Sequence, residues 1–557
     1  MENKNNQPLS EIEKIKDSSN YLRGTLVESF ADETSGNLFQ QDLALIKFHG
    51  SYMQYDRDLE SERKKQKLEP LYSYMIRVRI PGGATSPAQY LLINDLTERL
   101  GSGTIKLTTR QAFEIHEISK WNLKQVIKEI NSFLMDSIAA CGDVNRNVMC
   151  NPNPYESNVN AEVLNISKQV SKYFTPKTKA YYEIWLNDKM EYTSAIDDEE
   201  PIYGKTYLPR KFKMAFAIPP YNDTDVFSND LGFIAITEDG ELQGFNVTVG
   251  GGMGMTFGMP ETYPRLADVI GFVHKDKVID VAEQVLKIQR DHGNRSDRKF
   301  SRLKYTIDRL GLNWFKHELN SRLGWKLEEP QYYKFTKSGD RYGWMQGPTG
   351  KWSITLFVEG GRIQDTENYK LKTALKQSMK LHDGDVRLTP NQNIIIANIS
   401  EYSKPFIEDI LKRNGVLDNL NKTGMRLNSM ACVALNLCPL AFAEAERYLP
   451  TFMDRLDKIL IETGLEKDEI LIRMTGCPNG CARPYLAEIG LVGKAPGRYN
   501  LYLGASHQGD RLNKLYKEYL NEDEIIAELT PILQSYAKDR KTDEKFGDFV
   551  VRKSLIK

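Results

Sequence analysis

Two stretches of this chain recur at one spacing, and that repetition restricts the fold more than any other feature. Ile105-Lys106-Leu107-Thr108, followed by Gln111, returns 281 residues later as Val386-Arg387-Leu388-Thr389, followed by Gln392. Asn147 and Met149 return as Asn428 and Met430 at the same offset of 281. A looser match links Arg77-Val-Arg-Ile-Pro-Gly-Gly83 to Thr355-Leu-Phe-Val-Glu-Gly-Gly361. Independent matches at one spacing indicate two fused half-molecules. Halves related by a pseudo-twofold axis enclose a central cleft to which each can bring a different part of a site. At 557 residues the chain exceeds one hydrophobic core and divides into about three or four domains.

From Tyr74 onward, short runs such as MIRVRIPGG and TIKLTTRQAFEIH alternate with period two, and helical stretches follow. The fold class is α/β, in its α+β form. Residues 1–70 begin polar and become charge-dense from Tyr55 to Lys67. They read as an extended arm that wraps other domains or docks a partner, with a partly disordered tail as the plainer alternative. Lys plus Arg and Asp plus Glu both number 75, so no net field favours a polyanion, and an anion site must be a local cluster. The first residues lack the apolar core of a signal peptide, and no later run approaches the ~18 apolar residues of a membrane span. A cytoplasmic protein is expected.

Six cysteines are too few for a disulfide scaffold of this length, which leaves thiols or metal ligands. Cys432 and Cys438 form C-x5-C, and Cys477 and Cys481 form C-x3-C. Four thiolates in two pairs suit a cubane iron–sulfur cluster or a tetrahedral zinc. The long first spacing and the Pro after Cys438 and Cys477 favour the cluster over zinc. Gly480 lets backbone pass close to a bulky inorganic core. Cys141 and Cys150 lack a paired geometry and read as ordinary buried thiols.

Lys211 and Lys213 flank Phe212, so on an extended strand both ammonium groups project from one face, where an anion would relieve their repulsion. A solvated strand face is the alternative. The run Arg290–Arg309 holds seven Lys or Arg against three Asp, and as a helix it would align Arg295, Lys299 and Arg302 in one stripe. The run Val249-Gly-Gly-Gly-Met-Gly254 lacks a dinucleotide fingerprint and reads as a close-approach loop. With no Rossmann or flavin signature, nicotinamide electrons would have to arrive through another protein.

With these residues assembled, the chain resembles the sulfite/nitrite reductase hemoprotein family, most closely its bacterial NADPH-linked sulfite-reducing branch. The resemblance spans about Lys47 to Arg552 and rests on ordered motifs. These are KFHGSYMQYDRD, RVRIPGG, KLTTRQAFEIH, DVNRNVMCNPNPYES, YLPRKFK, RDHGNRSDRK, SMACVALNLCPLAFAEAER, TGCPNGC and LVGKAPGRYNLYLG. It implies a [4Fe-4S] cluster on Cys432, Cys438, Cys477 and Cys481, with the Cys481 sulfur bridging to a siroheme. It further implies that Arg77, Arg146, Lys211 and Lys213 face the substrate side of the siroheme, and that Lys106, Arg110 and His116 belong to a siroheme-contacting segment. Lys106 stands where the nearest relatives usually have Arg, which loses a bidentate fork.

The implied fold is a duplicated, pseudo-twofold siroheme reductase of three domains. Residues 71–140 and 344–420 would form a ferredoxin-like pair of half-domains, 141–343 a siroheme and anion domain, and 421–557 the cluster domain, with 1–70 as a partner-docking arm. The implied activity is six-electron reduction of sulfite to sulfide, fed by a flavoprotein partner using NADPH, with ferredoxin as the fallback donor. Nitrite reduction is the main alternative, and the second lysine, Lys213, favours the dianion. A non-catalytic metal protein is the alternative of another class, and it has no need of the cation set.

Overall fold

The computed structural model describes residues 8–177, 183–186, 189–193 and 200–556. Its frame is a pair of five-stranded sheets with the same strand order. One runs Ser51–Tyr55, Tyr72–Val78, Phe113–Ile118, Ile105–Leu107 and Arg362–Ile363. The other runs Gly343–Gln346, Trp352–Leu356, Ile394–Ile399, Asp385–Leu388 and Ala84–Thr85. Each sheet therefore ends on a short strand borrowed from the opposite half. Helices Pro87–Leu100 and Leu123–Ser132 cover the first sheet, and Leu371–Leu381 and Lys404–Arg413 hold the same chain positions in the second half. Ser86 and Gln89 close a capping box ahead of Pro87, which fixes where the first of these helices starts. Apolar residues from both halves, among them Ile76, Leu107, Ile354 and Leu388, share one core.

The duplication is visible in reciprocal hydrogen bonds. Gln111 Nε2 donates to the Leu388 carbonyl at 2.8 Å, and Gln392 Nε2 donates to the Leu107 carbonyl at 3.2 Å. Gln111 Oε1 accepts from Cys150 N, and Gln392 Oε1 accepts from Ala431 N, again 281 residues on. Gly83 and Gly361 both have positive φ, and a Cβ on either would meet the partner half's carbonyl, Leu388 O at 2.4 Å or Leu107 O at 2.7 Å. Only glycine allows the two halves to close on this axis.

Two further sheets flank the frame. Met214–Ala217 and Leu231–Glu238 pair in parallel, and Glu241–Val249 and Asp268–His274 continue antiparallel. The other sheet repeats this pattern, with Ser429–Ala431, Ile472–Thr475 and Ile489–Ala495 parallel and Arg498–Leu503 and Lys514–Leu520 antiparallel. Met149 bridges Ala215 in parallel just as Met430 pairs Arg473. In the first half the lysine pair precedes Met214–Ala217, and in the second half Cys477 and Cys481 follow Ile472–Thr475.

The N-terminal segment is built into the body. Lys16 is fully buried between Glu13 at 2.5 Å and Asp143 at 3.5 Å, and Ser51–Tyr55 is an edge strand of the first sheet. Arg57 reaches the Ala441 and Cys438 carbonyls beside the cysteine loop. The segment expected as an extended arm thus packs on the chain's own domains through Lys16, Arg57 and Asp58, while the charge-dense helix Glu60–Lys65 buries none of its residues. Among the described residues, no helix is long and apolar enough to cross a membrane.

Candidate active site

Phe212 is fully buried and bridges Asn145, so the extended backbone turns Lys211 and Lys213 to the opposite side, as alternation requires. Arg146 N donates to Phe212 O at 2.9 Å, which fixes the Arg146 loop against this segment. Arg110 sits on the tight turn between Ile105–Leu107 and Phe113–Ile118. Its guanidinium donates to Asn229 Oδ1 at 2.9 Å, Asn147 O at 2.7 Å and Met214 O at 3.1 Å. Arg77 pairs with Glu114, donates to Cys141 Sγ at 3.1 Å and shares the Ala140 carbonyl with Arg146.

The cations form one continuous cluster. Burial, then Arg210, Arg302 and Arg146, bring Lys211 down to about 7, with the Cys481 thiol opposing. Lys213 lies well below its ordinary value because of burial, Lys211, Arg110 and Arg302, with Asp230 opposing. Arg110 falls to about 9 through burial and then Arg483 and Arg146. Burial also works against Arg77, but Cys141 and Glu114 outweigh it and hold the guanidinium charged. So much mutually repelling buried charge needs an anion.

Lys106 and His116 stand apart from this cluster. Lys106 is 2 % exposed and is held by Glu446 at 2.6 Å and by the Gly360 carbonyl, while Arg362 takes the other Glu446 oxygen at 2.5 Å. His116 Nδ1 lies 3.0 Å from Gln54 Oε1, and burial pushes its pKa down, which favours the neutral ring. Glu114 links the two groups, because it pairs with Arg77 and also lies 3.4 Å from His116 Nε2.

The cation stripe expected on one helix does not form. The helix Val278–His292 stops before Gly293, and the Asn294 side chain accepts from Ser296 N and Asp297 N, which turns the chain. Arg295 instead binds Glu13, Lys299 is exposed, and Arg302 forms a buried fork on Asp230 at 3.0 and 2.8 Å. Arg302 still adds to the field on both lysines. Sequence reading also missed Asp230, which accepts from Lys213 N at 2.9 Å, and Lys304, which donates to Gly252 O and Gly254 O and is lowered to about 7, chiefly by burial. Neither carries a spacing signal, because each works through contacts distant in sequence. Cys141, read as an ordinary buried thiol, is buried but faces Arg77.

The cysteine loops meet the cation cluster at Cys481. Thr109 Oγ1 donates to Cys481 O at 3.0 Å. Arg483, at φ 54°, binds Asp225 and donates to Thr109 O at 2.7 Å and Pro390 O at 2.9 Å. Met255 N donates to Pro478 O at 2.9 Å, so the glycine-rich loop does approach the CPNGC turn closely. The Cys432 thiol is raised by burial and then by Cys481, Cys477 and Cys438, which shows all four sulfurs facing one region. Among the described residues, no three His, Cys, Asp or Glu side chains converge tightly enough for a single ion. A Cβ on Gly476 would strike Ala434 and Ala441 Cβ at 2.7 and 3.2 Å, so the space beside the thiols is lined by the smallest residues. Gly476 N also donates to Cys432 Sγ at 3.4 Å.

Beside the cation cluster, Arg110 Nε and Asn147 Oδ1 are buried without a hydrogen-bond partner. Orphaned polar atoms beside a dense cation cluster fit a polycarboxylate macrocycle together with a small anion.

Comparison with known proteins agrees with this architecture. The family model for the nitrite and sulphite reductase 4Fe-4S domain matches residues 167–327, and that for the nitrite/sulfite reductase ferredoxin-like half domain matches 66–133 and 345–414. The "sulfite reductase [NADPH] hemoprotein beta-component" of Geobacillus kaustophilus is 57% identical over 552 residues, covering 99% of this chain and 96% of the relative. The chain belongs to the nitrite and sulfite reductase family. The same-named protein of Staphylococcus saprophyticus is 55% identical over 98% of this chain and 96% of its own length. The structure of Mycobacterium tuberculosis NirA superposes with a TM-score of 0.79, covering 99% of this chain and 97% of that one at 23% identity, and shares the fold. The family's two half-domain matches fall one on each copy of the repeat. Its 4Fe-4S model matches 167–327, a stretch without cysteine.

Proposed function

We propose that this family member is the catalytic hemoprotein subunit of an assimilatory sulfite reductase, which reduces sulfite to sulfide in the cytoplasm. The observation that carries the reading is the unbroken run of cations from Arg77 through Arg146, Lys211 and Lys213 to Arg110, ending beside Cys481. Cys432, Cys438, Cys477 and Cys481 would hold the [4Fe-4S] cluster, Cys481 being the one nearest the cation cluster. Arg110 and its neighbours would hold siroheme carboxylates. Lys106 and His116 support that wall through Glu446 and Glu114. When bound, the siroheme and the cluster would supply the reducing electrons one at a time.

The remaining work falls to the chain's own side chains. Sulfite is a compact dianion near neutral pH, and converging cations in a partly dry cleft bind it far more strongly than water would allow. Each S–O cleavage releases oxygen as water and consumes protons. A lysine held near 7 can give up a proton at its Nζ and regain one at working pH. Asp230 orients this pair by accepting from the Lys213 backbone and by tying Arg302 behind it. Arg77, neutralised in part by Glu114, positions rather than donates.

The segments 71–140 with 344–420, 141–343 and 421–557 serve as frame, anion domain and cluster domain. A flavoprotein supplies electrons from NADPH, with residues 1–70 contributing to its docking. The test is anaerobic turnover with a reduced dye donor. Siroheme absorption bands and a higher kcat/KM for sulfite than for nitrite are expected. A protein that purifies with zinc and no visible bands, or that prefers nitrite, would overturn the reading.

A further inference from the structure

Three large apolar side chains stand exposed around the cysteine loops, outside the cleft described above. Leu440 is 63 % exposed, Phe257 47 % and Phe442 36 %. Ala441 is buried between Leu440 and Phe442, so those two emerge on the same side of their loop. The rings of Phe257 and Phe442 meet at 4.6 Å, which joins the glycine-rich loop and the first cysteine loop into one apolar surface. The Lys494 ammonium sits over the Phe257 ring at 5.0 Å, and among the described residues it has no carboxylate partner. Adjoining exposed apolar side chains rimmed by charge mark a surface that meets another molecule.

Each of the three is tied closely to a thiol. Leu440 follows Cys438 with only Pro439 between them. Phe442 N donates at 2.8 Å to the carbonyl of Gly476, the residue before Cys477. Phe257 follows Met255 with only Thr256 between them, and Met255 N donates to the carbonyl of Pro478, the residue after Cys477. Cys481 adjoins Thr109 and Lys211 instead. The apolar surface and the anion cleft thus border different thiols, and the four-thiol site joins them. Electron transfer weakens steeply with separation, so a donor has to touch the chain close to the thiols. The cleft side is taken by substrate, which leaves the side of Cys438 and Cys477.

The rim indicates the charge of what docks there. Arg57 holds the Ala441 carbonyl, between the two exposed side chains of that loop. The helix Glu60–Lys65 begins just beyond Arg57, buries none of its residues, and carries its acidic groups in the first turn and Arg63, Lys64 and Lys65 in the last. Lys64 and Lys65, like Lys494, have no carboxylate partner among the described residues.

We infer that the surface formed by Leu440, Phe442 and Phe257 is where the electron-delivering domain of the flavoprotein docks. Its apolar flavin edge would meet these side chains, and its acidic groups would meet Lys494 and the last turn of Glu60–Lys65. Each encounter moves one electron from the reduced flavin to the thiol-held cluster, with no bond made or broken. This rests on the sulfite reductase reading and adds the place at which electrons enter. A contact of this transient kind is small, so a few apolar anchors carry it and rim charges set its rate.

The test mixes holoenzyme with NADPH-reduced flavoprotein in a stopped-flow cell without sulfite and follows the siroheme bands. Leu440→Glu and Phe257→Ser should each slow the reduction by about tenfold or more, the effect of losing a central anchor. Iron content and dye-driven turnover should stay at wild-type levels. Lys494→Glu should slow the reduction at low ionic strength and not at high, as a rim charge does. Hydrogen exchange of residues 254–260 and 437–443 should slow when wild-type protein binds the flavoprotein. Phe257→Ser, on a loop without thiols, decides the case should Leu440→Glu load less iron. Wild-type reduction rates in the fully loaded variants, or no protection of the two segments, would overturn the docking site and leave the sulfite reductase reading standing. A wild-type holoenzyme that the dye reduces and the flavoprotein does not would overturn both.

Discussion

Lys211 offers the sharpest separation of stability from function. Its pKa drops from 10.5 to about 7 in the ligand-free cleft, for which burial is the largest cause and Arg210, Arg302 and Arg146 follow. The unfolded chain keeps this lysine protonated up to the ordinary value, so the unfolded state binds more protons between pH 7 and 10. Stability from this group therefore rises with pH across that window and is lowest near pH 7 and below. A shift of this size corresponds to roughly 4–5 kcal/mol of unfavourable charging. Lys211→Met removes the charge and keeps the aliphatic stem, and relaxation around the site should leave a net gain of about 1–3 kcal/mol. We expect Lys211→Met to raise the denaturation midpoint of siroheme-free protein at pH 7. The gain should shrink at pH 10 and vanish or reverse in cofactor-loaded protein, where the anions already compensate the charge. Sulfite reduction with a dye donor should meanwhile fall by two orders of magnitude or more, the scale of a lost general acid. Denaturant titrations of apo and loaded protein at both pH values decide the matter. Equal destabilisation of both forms by Lys211→Met would show that the cleft is not under cationic strain and would refute the reasoning.

Bound anions raise the Lys211 ammonium above its ligand-free value, so kcat/KM for sulfite should decline on the alkaline side of pH 7, and Lys211→Arg, which does not titrate there, should lose the enzyme's part of that limb. Lys213→Asn should lower kcat/KM more for sulfite than for nitrite, since a dianion loses more attraction than a monoanion when a charge worth about 1–4 kcal/mol, or roughly 5- to 1000-fold, is removed. An equal loss for both anions would leave Lys213 only a role in proton supply. Cys481→Ser should cost both the iron–sulfur signal and the siroheme bands, and an unchanged spectrum with unchanged iron content would remove Cys481 from the ligand set. Deleting residues 8–65 should reduce dye-driven as well as NADPH-driven turnover, because it takes away the Lys16–Glu13–Asp143 network, an edge strand and the Arg57 clamp on the cysteine loop; loss confined to the NADPH assay would mean that the segment serves docking alone.

Much of the architecture was legible in the sequence because a duplication leaves its mark as identical side chains at a constant offset. Gln111 and Gln392 recur for a packing reason, since each carries the same pair of hydrogen bonds across the pseudo-twofold axis. The lysine pair was legible for an equally local reason. Strand alternation places Lys211 and Lys213 on one side of Phe212 whatever lies around them. The spacing of the cysteines kept cluster and zinc both open, and the match to the nitrite and sulphite reductase 4Fe-4S domain favours the cluster.

What only the tertiary structure decided is which charges remain uncompensated. Arg295 and Lys211 look alike in sequence, yet one is neutralised by Glu13, distant in the chain, and the other faces cations. Lys106 and Arg387 occupy equivalent repeat positions, yet Lys106 is neutralised by Glu446 from a distant loop and Arg387 by Asp385 of its own strand. Local sequence sets where a side chain points, because backbone geometry is a property of neighbouring residues. The protonation and the use of a charged group depend on burial and on fields from residues brought near by folding, and no motif of fixed spacing records them.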